Sequence, residues 1–397
     1  MRLAVLSIHS SPLGRAGSKD TGGMSTYLRG LSTALGQRGH RVDLFTRDAG
    51  RNEITGVAPN VRLVCPGDGL GRLDKKELYP HCPAVAESID RFSSLDDGGG
   101  YDYIFSHYWL SGVVGRILQE RWNIPHLLMF HTLGRAKNEA CPGEKEPWLR
   151  LETEAELARE CDLLVTAAER ERERIVEYYG LERGKVILVP CGIDRSLFYP
   201  FDQKGCLEAK QQAGGRSEGK TILAVGRIEP VKGFDLLLEA ASLLPAEDDF
   251  EIFIAGGDHK SKVLTAALKE KAGALGLGGK INFTGVVGYD RLPAYYNAAD
   301  VTVIPSYYES FGLVALESAA CGTPVVASPV GVLPELVARD SACGTLVEER
   351  DPVKWAAAIH RTYTGKVRKS SRDLDAVLAP YSWPEAAVKL ESALRSL

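Results

Sequence analysis

At 397 residues the chain is too long for a single small module, and two domains of ordinary size are the expectation. With 44% hydrophobic residues, 25% charged residues, 41 glycines and 20 prolines, its composition excludes a disordered, collagen-like or low-complexity protein. The 48 basic and 52 acidic residues leave a net charge of −4, which argues against a broad nucleic-acid-binding face but allows a local basic pocket.

Short β-branched apolar runs alternate with stretches of helical periodicity. In the first half the runs fall at 3–8, 41–46, 103–107, 126–131, 163–167 and 186–190, and in the second at 222–227, 251–255, 281–284, 301–305, 324–327 and 344–347. Near-continuous apolar strands separated by helices predict parallel sheets covered on both faces. The expected fold is therefore α/β, with two doubly wound, Rossmann-like domains. The first is placed at 1–195 and the second at 196–380, with a glycine-rich lead before residue 220. Tyr381-Ser382-Trp383-Pro384 puts a serine cap and an early proline ahead of an amphipathic stretch, which predicts a terminal helix over 381–397.

The first apolar run is too short for a signal peptide, and no run of eighteen apolar residues follows, so a cytoplasmic chain without a membrane span is expected. Eight cysteines lie scattered without a CxxC pair, which predicts reduced thiols and neither a disulfide framework nor a metal site.

Three motifs carry the chemistry. Gly22-Gly23-Met24 precedes a helical pattern at Met24, Tyr27, Leu28, Leu31 and Leu35. Residues without a Cβ let a ligand approach the backbone, and helix-terminal amides favour a phosphate. A tight turn with a helix cap is the plainer alternative. Arg227 and Lys232 follow a strand end, where a turn can bring both cations to one anion, although each could equally be a solvated loop residue. Glu309 and Glu317 flank a helix start at Ser310-Phe311-Gly312-Leu313, so that one carboxylate can meet a sugar hydroxyl and the other a ribose diol. The alternative is a loop acid and a helix-surface acid. Neither GxGxxG after a strand nor GxxxxGK[ST] occurs where dinucleotide or P-loop binding requires it.

The order GGM, GR-x4-K and E-x7-E followed by Gly322-Thr323-Pro324-Val325-Val326-Ala327-Ser328 resembles the retaining nucleotide-sugar glycosyltransferases of family four, whose two Rossmann-like domains form the GT-B fold. The likeness covers nearly the whole chain. Ser7-Ile8-His9-Ser10-Ser11-Pro12-Leu13, Ser106-His107-Tyr108-Trp109 and His131-Thr132-Leu133-Gly134-Arg135 further resemble the inositol-phosphate glycosyltransferases of that family, with sucrose-phosphate synthases as cousins.

The resemblance implies a UDP-sugar donor and a small, phosphorylated polyol or sugar acceptor. It assigns donor binding to Gly22, Gly23, Arg227, Lys232, Ser310, Phe311, Gly312, Leu313 and Glu317. Catalytic roles fall to His131, Arg227, Lys232 and Glu309. Acceptor binding falls to His9, Gly23, Lys75, Tyr108, Thr132 and Arg150, although Lys75 and Arg150 lie in charged stretches whose default reading is a solvated face. His131 could alternatively be a core histidine bonded to backbone. Thr21, Ser25, Val332 and the arginine-free loop Thr284-Gly285-Val286-Val287 depart from the family pattern. No cofactor or metal is implied, and bound Mg²⁺ would not be catalytic. A homodimer is compatible with the resemblance. Transfer to fructose 6-phosphate, 2-epimerisation or phosphorolysis of a sugar, and non-catalytic sensing of a nucleotide sugar are the rival readings.

Overall fold

The computed structural model describes residues 1–13, 22–47, 52–67, 73–96, 98–140, 145–216, 218–365 and 371–397. Its first sheet contains β1 (Arg2–Leu6), β2 (Arg41–Phe45), β3 (Asn52–Ala58), β4 (Val61–Pro66), β5 (Tyr103–His107), β6 (His126–Met129), β7 (Leu163–Thr166) and β8 (Val186–Leu188), in the order β3-β4-β2-β1-β5-β6-β7-β8. Neighbours run parallel except for β3 and β4. A second, wholly parallel sheet contains β9 (Lys220–Val225), β10 (Phe250–Ala255), β11 (Ile281–Gly285), β12 (Val301–Ile304), β13 (Val325–Ala327) and β14 (Gly344–Leu346), in the order β11-β10-β9-β12-β13-β14.

In both sheets the order reverses beside the first strand, between β1 and β5 and between β9 and β12. Open α/β sheets bind ligands outside the carboxyl ends of the strands at such reversals. The central strands are buried along their whole length, as their continuous apolar runs predict. Two strands, β3 and β4, were not among the sequence runs. β4 carries the buried Val61, Leu63 and Val64, but β3 is an edge strand with Ile54 exposed, so no inside–outside alternation marks it.

The terminal helix Trp383–Leu394 starts where Ser382 Oγ accepts from the Glu385 amide at 3.3 Å. It packs along the helix Gly23–Gln37 of the first lobe, with Arg38 Nη2 2.6 Å from Glu391 Oε2 and the Tyr103 hydroxyl donating to Leu394 O at 2.8 Å. The Trp383 ring lies against Gly30 and Gly192, where an added Cβ would come within 2.2 and 2.3 Å of neighbouring atoms. One continuous apolar cluster includes Leu28 and Phe105 of the first lobe, Leu223 and Phe253 of the second, and Leu390 of this helix. Among the described residues no helix is long and apolar enough to cross a membrane.

Candidate active site

Between the lobes lies a cleft of about 320 Å³, lined from the ends of β1, β5 and β6 on one side and β9 and β12 on the other. That volume is at the small-molecule end of ordinary ligand sites. All sixteen residues assigned to a site by the sequence line it: His9, Gly22, Gly23, Lys75, Tyr108, His131, Thr132, Arg150, Arg227, Lys232, Glu309, Ser310, Phe311, Gly312, Leu313 and Glu317.

On the second lobe, the chain leaves β9 through Arg227, whose Nη1 lies 2.7 Å from Glu229 Oε1, and turns through Pro230–Lys232. Gly233 closes that turn at φ +65°, and a Cβ there would sit 2.1 Å from the Pro305 carbonyl oxygen. Only glycine permits this approach, which brings Lys232 to the end of β12. Lys232 Nζ donates to Glu309 Oε1 at 2.6 Å, and Ser306 Oγ donates to the same oxygen at 2.7 Å. The helix Leu313–Ala320 begins after Gly312, in a left-handed conformation without a side-chain cap, so its first amides face the cleft without an intrahelical acceptor.

Glu317, on the second turn of that helix, is buried rather than a helix-surface acid. Its Oε2 accepts from the Tyr296 hydroxyl at 2.7 Å, and burial raises its pKa to about 7. Val332, which departs from the family's glycine, packs in the core with φ −78° while its amide donates to Phe311 O at 2.6 Å. The preceding Gly331 supplies the left-handed residue, at φ +55° and pressed against Phe311 O. The valine therefore imposes no backbone strain on the loop.

On the first lobe, Gly22 caps and Gly23 opens the helix Gly23–Gln37, again without a side-chain cap. A Cβ on Gly23 would stand 3.4 Å from Leu313 Cδ1, so the two helix N-termini meet across the cleft. His9 lies over Tyr108 with ring centroids 4.1 Å apart, and Arg150 Cζ lies 4.9 Å from the centre of the Tyr108 ring. Tyr108 (φ +77°) and His131 (φ +59°) are the two non-glycine, non-asparagine residues with positive φ among the described residues. Such strain collects where surrounding structure holds a side chain for use.

His131 is bonded not to backbone but to another ring, with Nε2 2.8 Å from His107 Nδ1. Burial lowers its pKa to about 3, which favours the neutral ring at physiological pH. The Lys75 ammonium is pushed down first by burial and then by the Arg227 charge from the facing lobe. Positive side chains thus approach the cleft from both walls.

Arg150 corrects the solvated-face reading: it is almost fully buried. Its Nε donates to Glu154 Oε1 at 2.6 Å, and Nη2 donates to Thr132 O at 2.6 Å and to Thr132 Oγ1 at 3.1 Å. Nη1 lies 2.9 Å from Glu146 Oε2, and Glu146 also pairs with Lys137. The guanidinium is therefore mainly a fixed charge that shapes the Thr132 loop, with little donor capacity left for a ligand. The sequence reading passed over His107, Lys137, Tyr289, Tyr296 and Tyr308. Lys137, Tyr289 and Tyr308 line the cleft, whereas His107 and Tyr296 support lining residues from behind. Tyr308 was legible as part of the Glu309 motif, whereas His107 looks like any strand residue.

Residues 21–197 match the family model for Glycosyltransferase Family 4, and residues 207–376 match that for Glycosyl transferases group 1. The D-inositol 3-phosphate glycosyltransferase of Geodermatophilus obscurus is 38% identical over 372 residues, spanning 90% of this chain and 81% of its own. The chain belongs to glycosyltransferase family 4. Another relative of this family-4 chain, the D-inositol 3-phosphate glycosyltransferase of Acidothermus cellulolyticus, is 39% identical over 91% of this chain and 82% of its own. Among solved structures, sucrose-phosphate synthase from Thermosynechococcus elongatus superposes with a TM-score of 0.87 at 30% identity, covering 100% of this chain and 98% of that one. Anabaena HepE, solved with UDP and glucose, shares the fold at a TM-score of 0.77 and 19% identity, with both chains covered completely. The chain is thus a GT-B glycosyltransferase.

Proposed function

We propose that this glycosyltransferase moves a hexosyl unit from a UDP-sugar, UDP-N-acetylglucosamine or UDP-glucose, to a hydroxyl of inositol phosphate, with retention at the anomeric carbon and without a metal ion. The observation that carries this reading is the pairing of cations across one cleft: Arg227 and Lys232 on the second lobe face Lys75 on the first. A donor diphosphate and an acceptor phosphate, both anionic, need that distribution.

Arg227 and Lys232 stabilise the charge that develops on the departing diphosphate, a role a divalent ion fills elsewhere. Amides at the start of Leu313–Ala320 hold phosphate oxygens, and Glu317 accepts from the ribose hydroxyls. Glu309 and neutral His131 orient the hexose, so that the acceptor hydroxyl meets the anomeric carbon on the face the diphosphate leaves. The leaving phosphate oxygen takes the acceptor proton. Lys75, with Tyr108 and Thr132, holds the acceptor phosphate within a wall whose shape and charge Arg150 fixes. His9 and Gly23 stand where acceptor and donor meet.

Transfer to fructose 6-phosphate is the second reading, supported by the likeness to sucrose-phosphate synthase. A matrix of UDP-, ADP- and GDP-sugars against inositol 3-phosphate, fructose 6-phosphate and free inositol, read by mass spectrometry, separates the two. The expected product is a hexosyl or N-acetylhexosaminyl inositol phosphate. Conversion of the donor in the absence of acceptor would indicate an epimerase instead.

A further inference from the structure

Tyr308 precedes Glu309 on the second lobe but makes its polar contacts on the first. Its hydroxyl donates to Glu171 Oε1 at 2.5 Å and accepts from the Leu133 amide at 3.0 Å. Glu171 lies in the first turn of the helix Glu169–Tyr179, and Leu133 directly follows His131-Thr132 in the acceptor wall. All three are buried. Glu309 itself is tied to Lys232. One phenol therefore joins the donor loop, the acceptor loop and a first-lobe helix.

We propose that Tyr308 and Glu171 are a positioning pair, which locks the Glu309 loop against the acceptor wall and so holds the two lobes in the register required for transfer. The inference rests on the hexosyl-transfer reading for what is positioned, but the contact itself can be tested without substrate. Neither residue touches the reacting atoms; each acts through Glu309 and the Thr132 loop.

The surroundings of Glu171 add a pH dependence. Arg174 Nη1, on the same helix, is 3.8 Å from Glu171 Oε2, and its guanidinium carbon is 5.4 Å from the centre of the Tyr308 ring. Glu154 faces Glu171 from the helix Trp148–Glu160, while neutral His131, Thr166 and Ser310 share a small cavity with it. Burial dominates these influences and raises the Glu171 pKa to about 8. When the lobes part, the carboxyl meets water and returns to its usual range. The closed form therefore holds one more proton between that range and about pH 8, so closure is favoured at low pH and weakens as pH rises through this window.

Hydrogen exchange read by mass spectrometry on the peptide containing Leu133, together with transfer kinetics, tests the pair in the full chain. In Tyr308→Phe the Leu133 amide loses its acceptor and exchanges at least tenfold faster. The transfer kcat falls at least tenfold, while UDP affinity measured by calorimetry changes less than threefold, because UDP binds the second lobe. Glu171→Ala shows the same loss of kcat. Glu171→Gln, which keeps a neutral acceptor for the phenol, recovers most of that loss and flattens the decline in kcat between pH 6 and 9. Unchanged Leu133 exchange in Tyr308→Phe would overturn the contact. A kcat within twofold of wild type, or identical pH profiles for wild type and Glu171→Gln, would overturn its role. If wild type transfers no sugar while Tyr308→Phe still accelerates Leu133 exchange, the hexosyl-transfer reading falls and with it this role for the pair, although the interlobe contact stands.

Discussion

Replacing Lys232 by Met separates a structural from a catalytic contribution. The Lys232 and Glu309 side chains are each 15% exposed, so the pair is neither a screened surface bridge nor a fully buried one. Its loss leaves Glu309 with the Ser306 hydroxyl at 2.7 Å as its remaining partner. A mostly buried carboxylate that keeps one of two partners costs about 1–2 kcal/mol of stability, or a few degrees in Tm. The catalytic cost is larger. A single preorganised charged donor at a developing anion is worth about 3–4 kcal/mol, roughly 10²–10³-fold in kcat. Arg227 remains beside the diphosphate, so the lower end of that range is expected. UDP release at saturating donor and acceptor gives kcat, and thermal unfolding reports the fold. Lys232→Arg should recover part of the rate, because it restores charge with a different geometry. A Lys232→Met enzyme within fivefold of wild-type kcat would refute the assignment of Lys232 to the leaving group.

Glu309→Gln should reduce kcat by about 10²-fold with a Tm near wild type, because the amide oxygen can still accept from Lys232 but no longer carries charge; near-normal turnover would remove Glu309 from the site. Glu317→Gln should show opposed effects. The buried carboxyl stays neutral up to about pH 7 in the folded chain, whereas in the unfolded chain it ionises in the usual range, so wild-type stability falls as pH rises between the two. The variant should therefore gain Tm over wild type at pH 8 but not at pH 4.5, while binding UDP about tenfold more weakly. A Tm difference independent of pH would contradict the burial argument. Transfer should also survive excess EDTA with less than a twofold loss, and recovery on adding Mg²⁺ after complete inhibition would contradict the metal-free mechanism.

Much of the site was legible because GT-B chemistry sits at strand ends. Gly22-Gly23, Arg227, Lys232, Glu309 and Glu317 each follow an apolar run, and the reversals in strand order place those ends in one cleft. What the sequence hid depends on packing across long separations. Arg150 reads as one charge in a charged stretch until Glu146, Glu154 and Thr132 close around it. His107 looks like an interior strand residue until the left-handed backbone at His131 turns the second ring onto it. The Tyr308–Glu171 contact spans 137 positions and has no local pattern at all. β3 was missed for a different reason, since an exposed edge strand lacks the continuous apolar run that marks the central strands.

The central claim is transfer across this cleft from a nucleotide sugar to a phosphorylated acceptor. It is tested most directly by incubating the protein with UDP-N-acetylglucosamine or UDP-glucose and either inositol 3-phosphate or free inositol, then measuring the product by mass spectrometry and its anomeric configuration by NMR. The account predicts a glycosylated inositol phosphate with the donor's anomeric configuration and release of UDP, with free inositol at least 10²-fold poorer in kcat/KM. Equal use of both acceptors, or a product of inverted configuration, would contradict it.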